Sequence, residues 1–455
     1  MSKKIIFAPY GAVGNATGAN FLFKTEKTSF LVDCGLVQGS RYAMDENREV
    51  LTYNPPAINA LIVTHAHMDH IGRIPKLVRD GFAGVIYSTP QTKELAAIML
   101  DDAQRLLAHE ASDSGLPVLY ERQDIDRALS LWKTYPYHES FSVGEDVSVS
   151  FKDAGHILGS AIVRCEIGKS VIVCTGDLGN SPTPLLPDTE EVTDATYMVV
   201  ESVYGDRNHE SKQVRDEKLK SILHTRLSAG GTVVIPAFSI ERTQVILYEI
   251  NELIEGGRIP RVPVYLDSPL AIKVTEVYRR YTQLFNEKIQ KDIAQGDDIF
   301  DFPGLKFIRN PEESRAIDFA KGPKIIIAGS GMSVGGRVLQ HERVYLSDPN
   351  ATILLVGYQV AGSLGRHIED GQKNVSIAGE SITIKAHIDK IGGYSSHKDS
   401  NGIVDFVSKS APTLKQVFVA MGEPKSSLFL VQRLRDELGV NAVFPEKGKE
   451  YELEV

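Results

Sequence analysis

Short apolar runs closed by glycine or an acid alternate along this chain with polar stretches that turn apolar every third or fourth residue. The runs predict buried strands at 5–7, 20–23, 29–32, 60–63, 147–151, 170–174 and 197–200. Between them, helical spacing predicts an amphipathic helix starting over 71–79 and polar helices over 91–111 and 122–134. Beyond residue 205 the pattern becomes more helical, with helices at 211–229, 241–254 and 272–295, the last long and charged. Strands at 232–236, 262–267, 324–328 and 352–356 interleave with them. This alternation predicts an α/β fold with a mainly parallel sheet flanked by helices. Strand character resumes over 381–386. A helix opening at 395–399 runs to about 408, followed by strand 416–419, helix 426–438 and strand 442–444. We expect a first domain over 1–205 that is resumed at 381–455, with a second domain, 206–380, inserted into it.

Composition narrows this little. A chain of 455 residues suggests two domains, and 42% hydrophobic with 24% charged residues is that of a soluble globular protein. No apolar run approaches a membrane span, and the opening Met1-Ser2-Lys3-Lys4 leads towards a strand rather than a signal sequence, so no membrane and a cytoplasmic address are expected. Cys34, Cys165 and Cys174 are too few and scattered for a disulfide framework and read as buried free thiols. The net charge of −9 argues against coating of nucleic acid by the whole surface, though not against a local basic cleft.

The candidate chemistry begins where strand 60–63 ends, at Thr64-His65-Ala66-His67-Met68-Asp69-His70-Ile71-Gly72. Three imidazoles and a carboxylate crowded on a strand-end loop are awkward to bury without a partner, and a divalent metal supplies one. His156 and Asp177 repeat the arrangement: an apolar strand, a glycine, then a metal-competent side chain. Asp33, at another strand end before Cys34-Gly35, reads equally as a turn residue or as a partner that orients a ligand histidine. His109, His138, His341, His367 and Trp132 read as surface or packing residues.

Asp33, His65-Ala66-His67-Met68-Asp69-His70, His156 and Asp177 resemble the first four motifs of the metallo-β-lactamase superfamily. Further segments resemble its β-CASP nucleases. They are Glu201-Ser202-Val203-Tyr204-Gly205-Asp206-Arg207, Pro236-Ala237-Phe238 with Arg242, Leu266-Asp267-Ser268-Pro269, Gly329-Ser330-Gly331-Met332 before Gly335-Gly336-Arg337, Gly357-Tyr358-Gln359 before Gly365-Arg366, and Ser395-Ser396-His397. Within that group the chain is most similar to the RNA-processing branch, which includes the pre-mRNA 3′-end cleavage endonuclease and its prokaryotic relatives.

The resemblance implies a four-layer αβ/βα metallo-β-lactamase sandwich with an inserted α/β β-CASP domain, and two zinc ions in the cleft between them. It implies His65, His67 and His156 on one zinc, Asp69 and His70 on the other, Asp177 bridging, and Asp33 supporting the ligands from behind. Asp69, His397, Glu201 and Asp33 are its catalytic set: Asp69 to orient or deprotonate water, His397 to protonate the leaving oxygen, and Glu201 to fix that histidine. Phosphate is expected at Gly331, Ser395, Ser396, Arg337 and Arg242, with Arg366 a further candidate cation.

One position departs from the pattern. Met421 stands in Val419-Ala420-Met421-Gly422-Glu423 where the RNA branch has a histidine that completes the second zinc, which puts that ion in doubt. The expected activity is zinc-dependent hydrolysis of single-stranded RNA, endonucleolytic or from the 5′ end. The alternatives are a DNA nuclease of the same fold and a catalytically impaired RNA-binding scaffold. A homodimer is the expected state if the chain associates.

Overall fold

In the computed structural model, which describes residues 4–39, 43–360 and 362–455, two seven-stranded sheets share one apolar core. Met1, Ser2 and Lys3 of the expected non-signal opening lie outside the described residues. The first sheet runs Tyr451–Glu454, Lys4–Gly11, Asn20–Lys24, Ser29–Val32, Ala60–Ile62, Val85–Ser88, Trp132–Thr134. The second runs Ala442–Val443, Gln416–Val419, Tyr197–Val200, Ser170–Cys174, Ala161–Ile167, Val147–Asp153, Phe141–Val143. Alternate residues of both sheets, among them Phe7, Phe21, Phe23, Phe30, Val149, Phe151, Val163 and Phe418, face each other in that core. A second cluster joins the other face of the second sheet to helices Ser400–Ser408 and Pro424–Leu438 through Val173, Val200, Ile403, Val407, Leu430 and Leu434. Helices Ile74–Arg79, Pro90–Ser114 and Arg122–Ser130 accompany the first sheet, which gives the four-layer αβ/βα sandwich.

Contacts divide the chain into two compact units, 1–208 with 396–455, and 209–395. The second unit is a six-stranded, wholly parallel sheet ordered Leu305–Phe307, Val264–Asp267, Lys324–Ala328, Thr232–Pro236, Thr352–Leu355, His387–Lys390, with flanking helices. Strand His387–Lys390 pairs with Thr352–Leu355, so residues 387–390 belong to this sheet and not to the sandwich. Residues 380–383 instead form one arm of a hairpin with Asn374–Ile377.

Three helix expectations need correction. The helix expected over 122–134 ends at Ser130. Residues 132–134 form an edge strand on Val85–Ser88, where Trp132 is buried and donates its Nε1–H to Ser88 Oγ at 2.8 Å. The helix expected over 272–295 is two, Pro269–Arg280 and Glu287–Ala294. Buried Phe285 packs on Tyr278 and Phe300 at the break, and the Asn286 side chain caps the new start by accepting from Ile289 N–H at 3.1 Å. The helix expected to open at 395 begins at Ser400, with Asp399 capping Gly402 N–H at 2.9 Å. All three cysteines are free and buried. Among the described residues no helix is long and apolar enough to cross a membrane.

Candidate metal centre

The central strands of each sheet run parallel, so their carboxyl ends lie along one edge. At those ends stand Asp33 after Ser29–Val32, the histidine loop after Ala60–Ile62, His156 after Val147–Asp153, Asp177 after Ser170–Cys174 and Glu201 after Tyr197–Val200. Rigid sheets thereby bring residues far apart in sequence to one point.

His65 Nε2 lies 3.1 Å from His67 Nδ1, and His156 Nε2 lies 3.2 Å from the same atom. Asp177 Oδ2 is 3.3 Å from His65 Nε2 and 3.5 Å from His156 Nε2. Four donors held about 2.0–2.1 Å from one centre at tetrahedral corners would stand about 3.3–3.4 Å apart, so this spacing fits a bound cation. The other oxygen of Asp177 turns to His70 Nε2 at 3.4 Å, with Asp69 Oδ2 at 4.0 Å from that nitrogen. His70 Nδ1 is held by Asp33 Oδ2 at 2.7 Å, and its Nε2, fully buried, has no hydrogen-bond partner among the described residues. A bare imidazole nitrogen facing two carboxylates is the donor set of a second divalent ion.

Electrostatics agree. Burial, together with the neighbouring imidazoles, holds His65, His67 and His156 below the usual histidine range, leaving neutral rings with lone pairs to donate. Burial raises the cost of ionising Asp177, but the surrounding His70, His397 and His65 rings, with the hydrogen bond to His65, outweigh it and hold this carboxyl well below the usual range.

His397 enters the same cluster from the distant segment 396–399. Its Nδ1 lies 3.1 Å from Glu201 Oε2 and 3.9 Å from Asp177 Oδ2. Burial disfavours the imidazolium, but the charges of Glu201 and Asp177 and the Glu201 hydrogen bond outweigh it and push the ring up to about 10. Glu201 is itself buried, with Oε1 accepting from Leu178 N–H.

Three contributors had only weak sequence signals. Thr64 donates N–H to Asp33 Oδ1 and Oγ–H to Asp33 Oδ2, both at 2.8 Å, which fixes the carboxylate that holds His70. Its place directly before His65 was the available clue. The Ser396 carbonyl stands 3.1 Å from His156 Nδ1, and no side-chain pattern marks it. Tyr204 lies beside His397 with the Arg207 guanidinium 4.4 Å above its ring.

Met421 follows strand Gln416–Val419, but it is buried among apolar residues of the inter-sheet core. Its N–H donates to Ala12 O at 2.7 Å and its carbonyl accepts from Ser202 N–H at 3.3 Å. Gly331, Arg242, Arg337 and Ser395 belong to the 209–395 unit. There Arg242 is buried and donates to the Val356 carbonyl, while Arg337 pairs with Asp267 and the Ile308 carbonyl.

A buried cluster of histidines and aspartates able to hold a divalent metal, at the edge of a four-layer sandwich, marks the class of a metal-dependent hydrolase. The chain belongs to the metallo-β-lactamase superfamily, in its β-CASP group. It matches that superfamily over residues 17–220, the Beta-Casp domain over 243–368, and the Zn-dependent metallo-hydrolase RNA specificity domain over 381–445. It is 36% identical over 399 residues to ribonuclease TTHA0252 of Thermus thermophilus, covering 88% of this chain and 90% of that one. An RNase J-like protein of Methanocaldococcus jannaschii is 32% identical over 93% of this chain and 94% of its own. Transcription termination factor FttA of Methanosarcina mazei is 31% identical over 92% and 67%. A crystal structure of a protein of unknown function from Enterococcus faecalis V583 shares the fold, with a TM-score of 0.59 at 12% identity over 99% of this chain and all of that one.

Proposed function

We propose that this chain is a zinc-dependent ribonuclease that hydrolyses phosphodiester bonds of single-stranded RNA. The observation that carries the reading is the near-tetrahedral spacing of His65, His67, His156 and Asp177 beside the bare Nε2 of His70. Names of relatives, a ribonuclease and an RNase J-like protein among them, supply the substrate class. His65, His67, His156 and Asp177 would hold one zinc, and Asp69, His70 and Asp177 a second, with Asp177 shared. When bound, the metal pair supplies Lewis-acid polarisation of phosphate and lowers the pKa of water.

The chain's own residues do the rest. Asp33 and Thr64 lock His70 in the tautomer that presents Nε2 as a donor. Asp69 accepts the proton of the attacking water or orients it. His397, kept protonated beside Glu201, gives its proton to the leaving oxygen, and Glu201 holds the ring in place. Gly331, Ser395, Ser396, Arg337 and Arg242 are proposed to meet phosphate, the two arginines mainly by bracing the backbone they already bond. Residues 206–380, with strand His387–Lys390 that pairs into the same sheet, are proposed as the inserted domain, and the protein as cytoplasmic and, where it associates, homodimeric.

The test pairs metal analysis with cleavage of matched 5′-labelled RNA and DNA, using His67→Ala as control. Bound zinc with RNA cleavage that disappears in the control supports the reading. A single zinc with equal or better DNA cleavage moves the protein to the alternative of a DNA nuclease of the same fold. Bound metal with no cleavage of either leaves an RNA-binding scaffold.

A further inference from the structure

In the 209–395 unit, Phe238, Gly331 and Tyr358 follow three neighbouring strands, Thr232–Pro236, Lys324–Ala328 and Thr352–Leu355. All run parallel, so the three segments share one edge of the sheet. The chain leaves Thr232–Pro236 towards Val264–Asp267 on one side, and leaves Thr352–Leu355 towards His387–Lys390 on the other. Phe238 and Tyr358 therefore flank the point where the winding reverses, which is where open parallel sheets receive ligands.

That edge presents aromatic rings to solvent. Phe238 is 36% exposed and Tyr358 55% exposed, with Val334 at 65% on the loop between them. Large apolar side chains are normally withdrawn from water, and here they sit amid glycine. A Cβ on Gly331 would stand 2.8 Å from Phe238 Cδ2, and one on Gly357 3.3 Å from Phe238 Cε2. Both glycines let backbone close against one side of the Phe238 ring and hold it steady. Buried Gln359 ties the two loops together by donating Nε2–H to Gly331 O at 3.0 Å and to Gly357 O at 3.2 Å. Helix Leu364–Glu369 starts against the same loop, with Gly365 N–H donating to Met332 O at 3.2 Å. It carries Arg366, part-exposed, whose Nε–H donates to Asp370 Oδ1 at 2.9 Å while the rest of the guanidinium stays in electrostatic reach of the Tyr358 phenolic oxygen.

Two apolar rings, a valine and a cation fall far short of the ~800 Å² per partner that a stable protein interface needs. They match a nucleotide, whose base offers a π-face and whose phosphate offers charge. Resting on the ribonuclease reading above, we propose that Phe238 and Tyr358 form a base-stacking platform for single-stranded RNA, with Arg366 on the adjoining phosphate. The platform is indifferent to base identity, because every base has a π-face.

The test measures affinity for a short fluorescent oligoadenylate with cleavage-resistant phosphorothioate linkages, and for the same oligomer with abasic riboses. Phe238→Leu and Tyr358→Leu keep apolar bulk but lose the ring. Each is expected to weaken oligoadenylate binding about 5- to 150-fold while leaving abasic binding unchanged. Phe238→Tyr retains affinity. Arg366→Gln lowers the salt dependence by about 0.7 of a logarithmic unit per decade on both oligomers. Leucine variants that bind oligoadenylate like the wild type, or that lose both oligomers equally, overturn the platform while RNA cleavage by the wild type still stands. A wild-type protein that neither binds nor cleaves RNA overturns the ribonuclease reading and the platform with it.

Discussion

The ring of His397 sits between two carboxylates, and its protonation decides what it does. With Glu201 and Asp177 pushing it up to about 10, the ring is charged at neutral pH and able to donate. A group raised in this way loses its proton only as pH climbs through that value, so the alkaline limb of kcat should lie far above neutrality. Glu201→Gln removes the nearest negative charge and should bring that limb down towards pH 7, with metal content unaltered. His397→Gln should lower kcat by about 10²- to 10⁴-fold. An alkaline limb that stays put in Glu201→Gln would remove Glu201 as the residue that keeps His397 protonated. Met421 makes a second residue-scale case. Its backbone has φ 51°, held by hydrogen bonds at both its N–H and its carbonyl. Histidine and asparagine enter this left-handed region more readily than methionine, so Met421→His should fold. It should raise zinc bound per chain, or slow zinc loss to a chelator; unchanged stoichiometry and off-rate would mean that residue 421 has no bearing on the second ion.

At the scale of elements, helix Val338–Tyr345 buries two ionisable groups that no local pattern marked. His341, which reads as a packing histidine in sequence, stands 2.8 Å from both Asp267 and Asp318. Its neighbour Glu342 accepts from Ser333 Oγ through one oxygen, while the other oxygen has no partner among the described residues. Burial pushes this carboxyl up to about 7. Since the folded value exceeds the unfolded one, near 4.5, the folded state binds the extra proton. The stability is present below the unfolded value and lost as pH rises to about 7, a cost of about 3 kcal/mol above it. Glu342→Gln should therefore melt higher than the wild type at pH 8 and converge with it near pH 5; a difference independent of pH would contradict this. The same helix marks what sequence conveys and what it hides. Strand ends carrying His65, His156 and Asp177 were legible because the apolar run and the ligand are adjacent in sequence. Trp132 and the 281–286 break were not, because an edge pairing and the burial of Phe285 depend on Ser88 and Phe300, which lie elsewhere in the chain. Arg242 and Arg337 read in sequence as cations for phosphate or as ion-pair partners, and only tertiary structure shows their bonds to Val356 O and Asp267.

At the scale of the whole molecule, the described residues that could hold metal all fall in one of the two compact units, 1–208 with 396–455. Without a cation, that unit must bury a cluster of imidazoles and carboxylates whose partners are one another. Among the described residues of the unit 209–395 no such cluster stands, and its sheet is held by the apolar residues Val234, Ile326, Ile353 and Leu355. An ion that binds only the folded site stabilises it by RT ln(1 + [L]/Kd), about 4 kcal/mol when free metal exceeds Kd a thousandfold. Chelation should withdraw that stability selectively. Hydrogen exchange followed by mass spectrometry should show Ser29–Val32, Ala60–Ile62 and Ser170–Cys174 exchanging faster after chelation. Peptides from Thr232–Pro236 and Lys324–Ala328 should keep their protection. Re-addition of zinc should restore the first set, whereas magnesium, which prefers six oxygen ligands, should restore it poorly. Loss of protection spread evenly over both units would mean that the two cores unfold as one, and that the metal stabilises the whole chain rather than the sandwich that carries its ligands.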